Sequence, residues 1–308
     1  MKFQKTLVAV AIAGIAAVPM IASADTTLSG VVQIQVKGTD GDDAAADPTI
    51  AADDVLFGIV SEHELNSGLT GYGSLRVDMN RLSNEGSSTF DPGTPGNDED
   101  DTSVTTLGSA DSVYVGFKGG FGDLRFGEVP VAAEYGQVAN DIFDVTADVN
   151  GGIGYVGAFG PVGLAFNFAP ENNEDVVGLG VKFALGGFAI GLGAEDRAEV
   201  QAASAGASFA FAGASIGAHF WTREQADGGD DVESVSVKIG YGFSGISANL
   251  TISAQEDGGA IDQEAIRLDA VYDLGGGFDV STRITATSDN IADDADETSW
   301  RVKLSKAF

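Results

Sequence analysis

Residues 234–253 read SVSVKIGYGFSGISANLTIS. In the first half Val235, Val237, Ile239, Tyr241 and Phe243 alternate with Ser234, Ser236 and Lys238. In the second half Ile246, Ala248, Leu250 and Ile252 alternate with Ser247, Asn249, Thr251 and Ser253, and Ser244-Gly245 lies between the halves. A period of two sorts side chains onto opposite faces of an extended chain, so the stretch reads as two half-polar β-strands joined by a tight turn. The same alternation runs through 28–38, 266–274, 278–287 and 299–308. Helical periodicity is nearly absent. The chain is all-β.

The connections set the architecture. Short turns are expected at Asn66–Gly68, Gly119–Gly122, Gly160–Pro161, Gly186–Gly187, Ala212–Gly213, Ser244–Gly245 and Gly275–Gly277. Longer segments rich in Asp, Gly, Asn and Glu fall between them, at 38–53, 80–110, 130–150, 170–174, 196–200, 224–231, 255–262 and 288–296. Seven short and eight long connections join sixteen strands. Such alternation predicts an antiparallel up-and-down β-barrel with one short rim and one long rim. Most strand segments run about 9–12 residues, the length of a tilted membrane strand, whereas soluble strands centre on about 5–6.

Composition narrows the class further. Lys2 and Lys5, an apolar run from Leu7 to Val18 and the small-residue site Ala22-Ser23-Ala24 make residues 1–24 a secretory signal peptide. Its apolar run is too short to cross a bilayer. Residues 25–308 are then expected to form a single domain, because a closed sheet needs all its strands. The whole chain has a formal charge of −30; without Lys2 and Lys5, 14 basic residues stand against 46 acidic ones, a formal −32. That balance excludes nucleic acid as a partner, since phosphate contacts need clustered cations, and it attracts cations instead. There is no cysteine, so disulfides do not hold this exported chain together. No apolar run after residue 24 is long enough for a membrane helix, which leaves a membrane barrel open.

Alternation alone does not say which face points inward. Three observations favour an apolar face turned to lipid over a secreted sandwich or solenoid. Polar faces carry charges at mid-strand, including Arg76, Arg125, Lys238, Arg267 and Arg283. Apolar faces carry aromatics near strand ends, including Phe117, Phe126, Phe166, Phe168, Phe183, Phe188, Phe243, Tyr272, Phe278, Trp300 and Phe308, as interface girdles do. A barrel of sixteen strands is too wide for side chains to fill, so a water-filled channel follows.

Particular segments resemble Gram-negative general porins. These are KGGFGDLRFGE (118–128), TLSGVVQIQV (27–36) at the amino-terminal end and SWRVKLSKAF (299–308), which ends on phenylalanine. The resemblance implies a homotrimeric outer-membrane barrel whose third long loop folds into the lumen as a constriction. Small hydrophilic solutes and ions would diffuse through. That loop is PVAAEYGQVANDIFDVTADVNG (130–151). Its AEYGQ (133–137) resembles the family's Pro-Glu-Phe-Gly-Gly element at Glu134 and Gly136, with Tyr135 in place of phenylalanine and neither the proline nor the last glycine. Glu128 stands where many members carry arginine. In the family a basic wall faces an acidic loop. The resemblance therefore implies Glu134, Asp141, Asp144 and Asp148 as the acidic side, with Lys37, Arg76 and Arg125 as the basic wall. It also makes Phe308 a signal to the outer-membrane assembly machinery.

Glu62, Glu64, Asp78 and Asp123 lie on or near the same strands as that wall, so cation selectivity is expected. Acidic stretches at 39–47, 97–101, 227–231 and 289–297 read as divalent-cation sites at the lipopolysaccharide surface or as self-repelling solvated loops. None has the spacing of a calcium loop, which favours the second reading. His63 and His219 have no Gly-x-Ser-x-Gly or metal-ligand spacing beside them. We therefore expect no enzyme, no metal and no cofactor. A substrate-selective porin would need an aromatic track in the lumen, where Tyr72 and Tyr114 are the best candidates. A structural or adhesive barrel would need a filled lumen.

Overall fold

Alternating strands leave every backbone group needing a lateral partner, and in lipid only a closed sheet supplies one for all of them. The computed structural model describes residues 25–41, 46–65, 68–79, 87–90, 102–105, 109–137, 142–143, 149–171, 174–197, 200–225, 231–257, 260–289 and 296–308. The expected signal peptide, 1–24, lies outside them. The strands are β1 (Asp25–Gly41), β2 (Ala46–Glu64), β3 (Thr70–Asp78), β4 (Ser87–Phe90), β5 (Thr102–Thr105), β6 (Ser109–Gly119), β7 (Gly122–Val129), β8 (Val149–Phe159) and β9 (Val162–Glu171). They continue with β10 (Glu174–Leu185), β11 (Phe188–Arg197), β12 (Val200–Phe211), β13 (Ala214–Gln225), β14 (Val232–Phe243), β15 (Ile246–Asp257), β16 (Ala260–Gly275), β17 (Phe278–Asp289) and β18 (Glu297–Ala307). Sixteen of them close into an antiparallel barrel in the order β1-β18-β17-β16-β15-β14-β13-β12-β11-β10-β9-β8-β7-β6-β3-β2. Among the described residues no helix is long and apolar enough to cross a membrane.

Closure joins the two ends of the chain. β1 pairs with β18 from Val31↔Ala307 to Gly41↔Glu297. Beyond the strand, Gly30 and Phe308 exchange backbone hydrogen bonds of 3.0 and 3.1 Å, so the ladder holds to the last residue. The Phe308 ring lies where a Cβ on Gly30 would be. The turn between β14 and β15 has positive φ at both positions, 47° at Ser244 and 81° at Gly245. That is the primed geometry whose twist matches a two-residue hairpin.

Burial is inverted relative to a soluble protein. Val235, Ile239, Leu250, Ile252, Ile266 and Leu304 are exposed on the outer surface, whereas Ser234, Ser236, Thr251, Ser253, Arg267 and Ser305 are buried on the inner one. Ser236 and Ser253, cross-strand partners, join their hydroxyls at 2.5 Å.

Strand ends depart from the sequence reading. Segments 38–53, 170–174, 196–200 and 255–262 were expected as long loops. Strands instead run through 38–41 and 46–53, and only 172–173, 198–199 and 258–259 separate the other pairs. β1, β2 and β16 reach 17, 19 and 16 residues. Asp and Gly lower β-propensity, but a neighbouring ladder overrides that preference, and carboxylates suit strands that have risen past the lipid into water. The long segment 80–110 also holds an unexpected hairpin, β4–β5, paired from Ser87↔Thr105 to Phe90↔Thr102.

Candidate functional site

Past β7 the chain leaves the wall and enters the lumen. The register shifts between Gly127 and Val129, and Gly127 has φ 118° with no room for a Cβ beside the Val113 carbonyl. A 3-10 turn, Ala132–Gly136, then lies flat against the inside of the barrel. Its stem is seated by an apolar cluster of Val129, Val131, Ala133, Val149, Ala169 and Val176. Two polar side chains clip its backbone. The fully buried Asn167 of β9 accepts from the Ala132 N–H at 2.8 Å, and the Ser204 hydroxyl of β12 donates to the Ala133 carbonyl. Between them the wall offers Gly180, Gly191 and Gly193. These point inward, because Leu179 and Leu192 beside them are each 58% exposed on the outer face. Farther along, Phe143 packs on Trp221 of β13 and Val232 of β14. The loop thus reaches from β7 across to β14.

Glu134 is exposed on this turn and lines a recess of about 810 Å³ with Lys118, Asp123, Tyr135, Gln137 and Lys182. Burial pushes the Tyr135 phenol above its ordinary pKa, with Arg125 pulling partly back, so it stays neutral. Asp141, Asp144 and Asp148 lie outside the described residues.

The three basic candidates do not form one group. Arg76 on β3 is tied to Asp111. Arg125 on β7 holds Asp123 at 2.9 Å, donates to the Tyr72 hydroxyl at 3.2 Å and sits 4.9 Å over the Tyr114 ring. Lys37 on β1 belongs elsewhere. It is directly opposite Arg301, which is opposite Arg283 on its other side. This trio lines a second recess, of about 530 Å³, with Asp53 and Gln35.

The row of cations continues around the wall. Arg267 and Arg283 share Asp269 at 3.0 and 2.5 Å, Lys303 pairs with Asp53, and Lys238 lies in the same cross-strand row as Arg267, with Thr251 between them. The reading of the sequence allowed three basic candidates; Lys238, Arg267, Arg283, Arg301 and Lys303 belong with them on the inner wall. Barrel order shows where they stand. β11, at the centre of the loop's seat, is eight strands from β1 in either direction, so the part of the row on β16–β18 and β1 stands on the side facing the loop, while Lys238 is on β14, a strand that the loop itself reaches.

Three-dimensional comparison finds the same barrel in known proteins. An anion-selective porin from Comamonas acidovorans matches with a TM-score of 0.71 at 16% identity, over 93% of this chain and 100% of that one. A loop L8 deletion mutant of OmpT, an outer membrane protein of Vibrio cholerae, matches at 0.70 and 16% over the same shares. A mutant of Rh. blastica porin matches at 0.66 and 14%, over 92% and 100%. Identities this low establish a shared fold. No curated protein matches the chain. Its sequence profile decides the family, because residues 8–292 match that of the Gram-negative porin. The chain belongs to the Gram-negative porin family. It is an outer-membrane porin, and its barrel is the channel.

Two features of this porin's site escaped the sequence. The loop's seat is written as Gly178-Leu-Gly180 and Gly191-Leu-Gly193, a period of two that reads as ordinary strand until the glycine face is known to meet backbone. The small-residue stretch 202–218 is also divided: Ser204 faces the loop and Trp221 beyond it faces the lumen, while Ala205 shares the outer face with Phe220.

Proposed function

We propose that this porin is a general diffusion channel for ions and small hydrophilic solutes, with a preference for cations, and a channel rather than an enzyme. The observation that carries the reading is a lumen lined, among the described residues, by hydroxyl and charged side chains and narrowed by the Ala132–Gly136 turn seated flat on the inner wall. A transverse arrangement of that kind sorts solutes by size and charge and needs no chemistry. Cation preference rests on charge balance. Arg76, Lys118, Arg125, Arg267, Arg283 and Lys303 each have a carboxylate partner, which leaves the strongly acidic chain to set the potential at the mouth.

The tyrosines argue against a sugar track. Tyr72 and Tyr114 meet edge to face at 6.0 Å, and Lys118 and Arg125 cover a ring face of each at 5.5 and 4.9 Å, where a sugar would have to stack. A homotrimer is proposed by analogy with OmpT of Vibrio cholerae, known in a trimer form. Outer-membrane lipid and lipopolysaccharide would surround the apolar girdle, and the assembly machinery would read Phe308.

Purified protein in planar bilayers should give stepwise conductance, and vesicles containing it should swell in small sugars. A protein that inserts but conducts nothing would return the reading to a structural or adhesive barrel. Swelling confined to one sugar would favour a substrate-selective porin.

A further inference from the structure

The loop lies closer to the barrel wall than ordinary side chains permit. Gly180 and Gly193 are cross-strand partners on β10 and β11. A Cβ on Gly180 would overlap the Ala132 carbonyl oxygen, one on Gly193 the Ala133 carbonyl oxygen, and one on Gly191 the Tyr135 carbonyl oxygen. On the next strand the relation is reversed, and Gly136 of the loop has no room for a Cβ against Ser204. Glycine inside a strand loses backbone entropy and leaves nothing to pack, so three on one face of two neighbouring strands weaken the sheet. Close approach of a second backbone is a physical reason for glycine there. The leucines between them already satisfy lipid.

We propose that this glycine bed, with the Asn167 and Ser204 clips, sets the height of the loop above the wall and thereby the calibre of the pore. The charged row sorts by sign, whereas the bed sorts by size. Gly180, Gly191, Gly193, Asn167 and Ser204 are positioning residues that act through the loop. The proposal rests on the channel reading. It adds that pore width is encoded on β9–β12 as well as in the loop itself.

Single-channel conductance and vesicle swelling test it. In Gly193→Ala and Gly191→Ala the new methyl group forces the loop backbone to shift on the order of 1 Å, because overpacked contacts are relieved by movement of the less constrained partner. Conductance should fall by roughly 1.5-fold or more, and the swelling cut-off should move to smaller sugars, with the sign of ion preference unchanged. Gly163→Ala is the control. It adds the same methyl group to the inner face of β9, where the nearest loop atom, in the Tyr135 ring, would be an ordinary 3.6 Å away. It should behave as wild type.

Ser204→Ala removes one clip without adding bulk and covers the case in which the glycine variants fail to assemble. It should show larger open-channel current fluctuations at unchanged or higher mean conductance. Wild-type conductance and cut-off in Gly193→Ala, an equal fall in Gly163→Ala, or wild-type noise in Ser204→Ala would each overturn the inference and leave the channel reading standing. A silent wild type would overturn both.

Discussion

Arg301 meets a like charge on each side, Arg283 across one strand and Lys37 across the other. Opposed like charges destabilise a sheet by about 0.2–1 kcal/mol, and Asp53, which lines the same recess, offsets part of that cost. Arg301→Gln should therefore assemble at least as well as wild type and should increase cation preference, read as a larger reversal potential of the same sign. A shift toward anions would contradict its place in the charged row. Parity alone makes Arg301 lumenal, and that much was legible. That it faces the loop was not, because the opposite side of a barrel is defined only once the strands are counted around it. Phe308 was legible from its phase. Its ring also covers Gly30, which completes the seam. Deleting Phe308 should lower the yield of membrane-inserted protein more than it changes the conductance of channels that form. Normal yield would count against the proposal that Phe308 is an assembly signal.

The period-two pattern sorts side chains onto two faces and the tight turns pair neighbouring strands, so strand order was readable, while the inward face needed the mid-strand charges and the aromatic girdles as well. Strand ends were not readable. The pattern loses contrast where Asp and Gly appear, although the ladder goes on, as at β16, which starts at Ala260 inside a segment expected as loop. The loop's seat was also hidden, since glycine on a strand carries no sign of what it will touch. The inside-out burial yields a paired test. Leu250 is on the outer face of β15, and Ser281 is opposite Val271 on the inner face of β17, in phase with Asp279 and Arg283. Leu250→Arg should destabilise the barrel by about 2–4 kcal/mol in lipid, whereas Ser281→Arg should cost far less. Unfolding titrations in vesicles measure both. Equal costs would mean that the faces are wrongly assigned.

At the scale of the molecule, a strongly acidic chain surrounds a lumen whose cations are mostly paired. Under the proposed cation preference, long-range attraction from the acidic chain competes with a local row of cations, and ionic strength decides the balance. The Debye length is about 10 Å at 0.1 M salt and about 3 Å at 1 M, so distant acids act in the first condition and are screened in the second. The measurement that tests this account most directly is the reversal potential across a bilayer holding the purified porin under a salt gradient, taken at low and at high mean salt. The account predicts a sign set by cations at low salt, shrinking as salt rises. Anion preference at low salt, or a preference that does not change with salt, would contradict it.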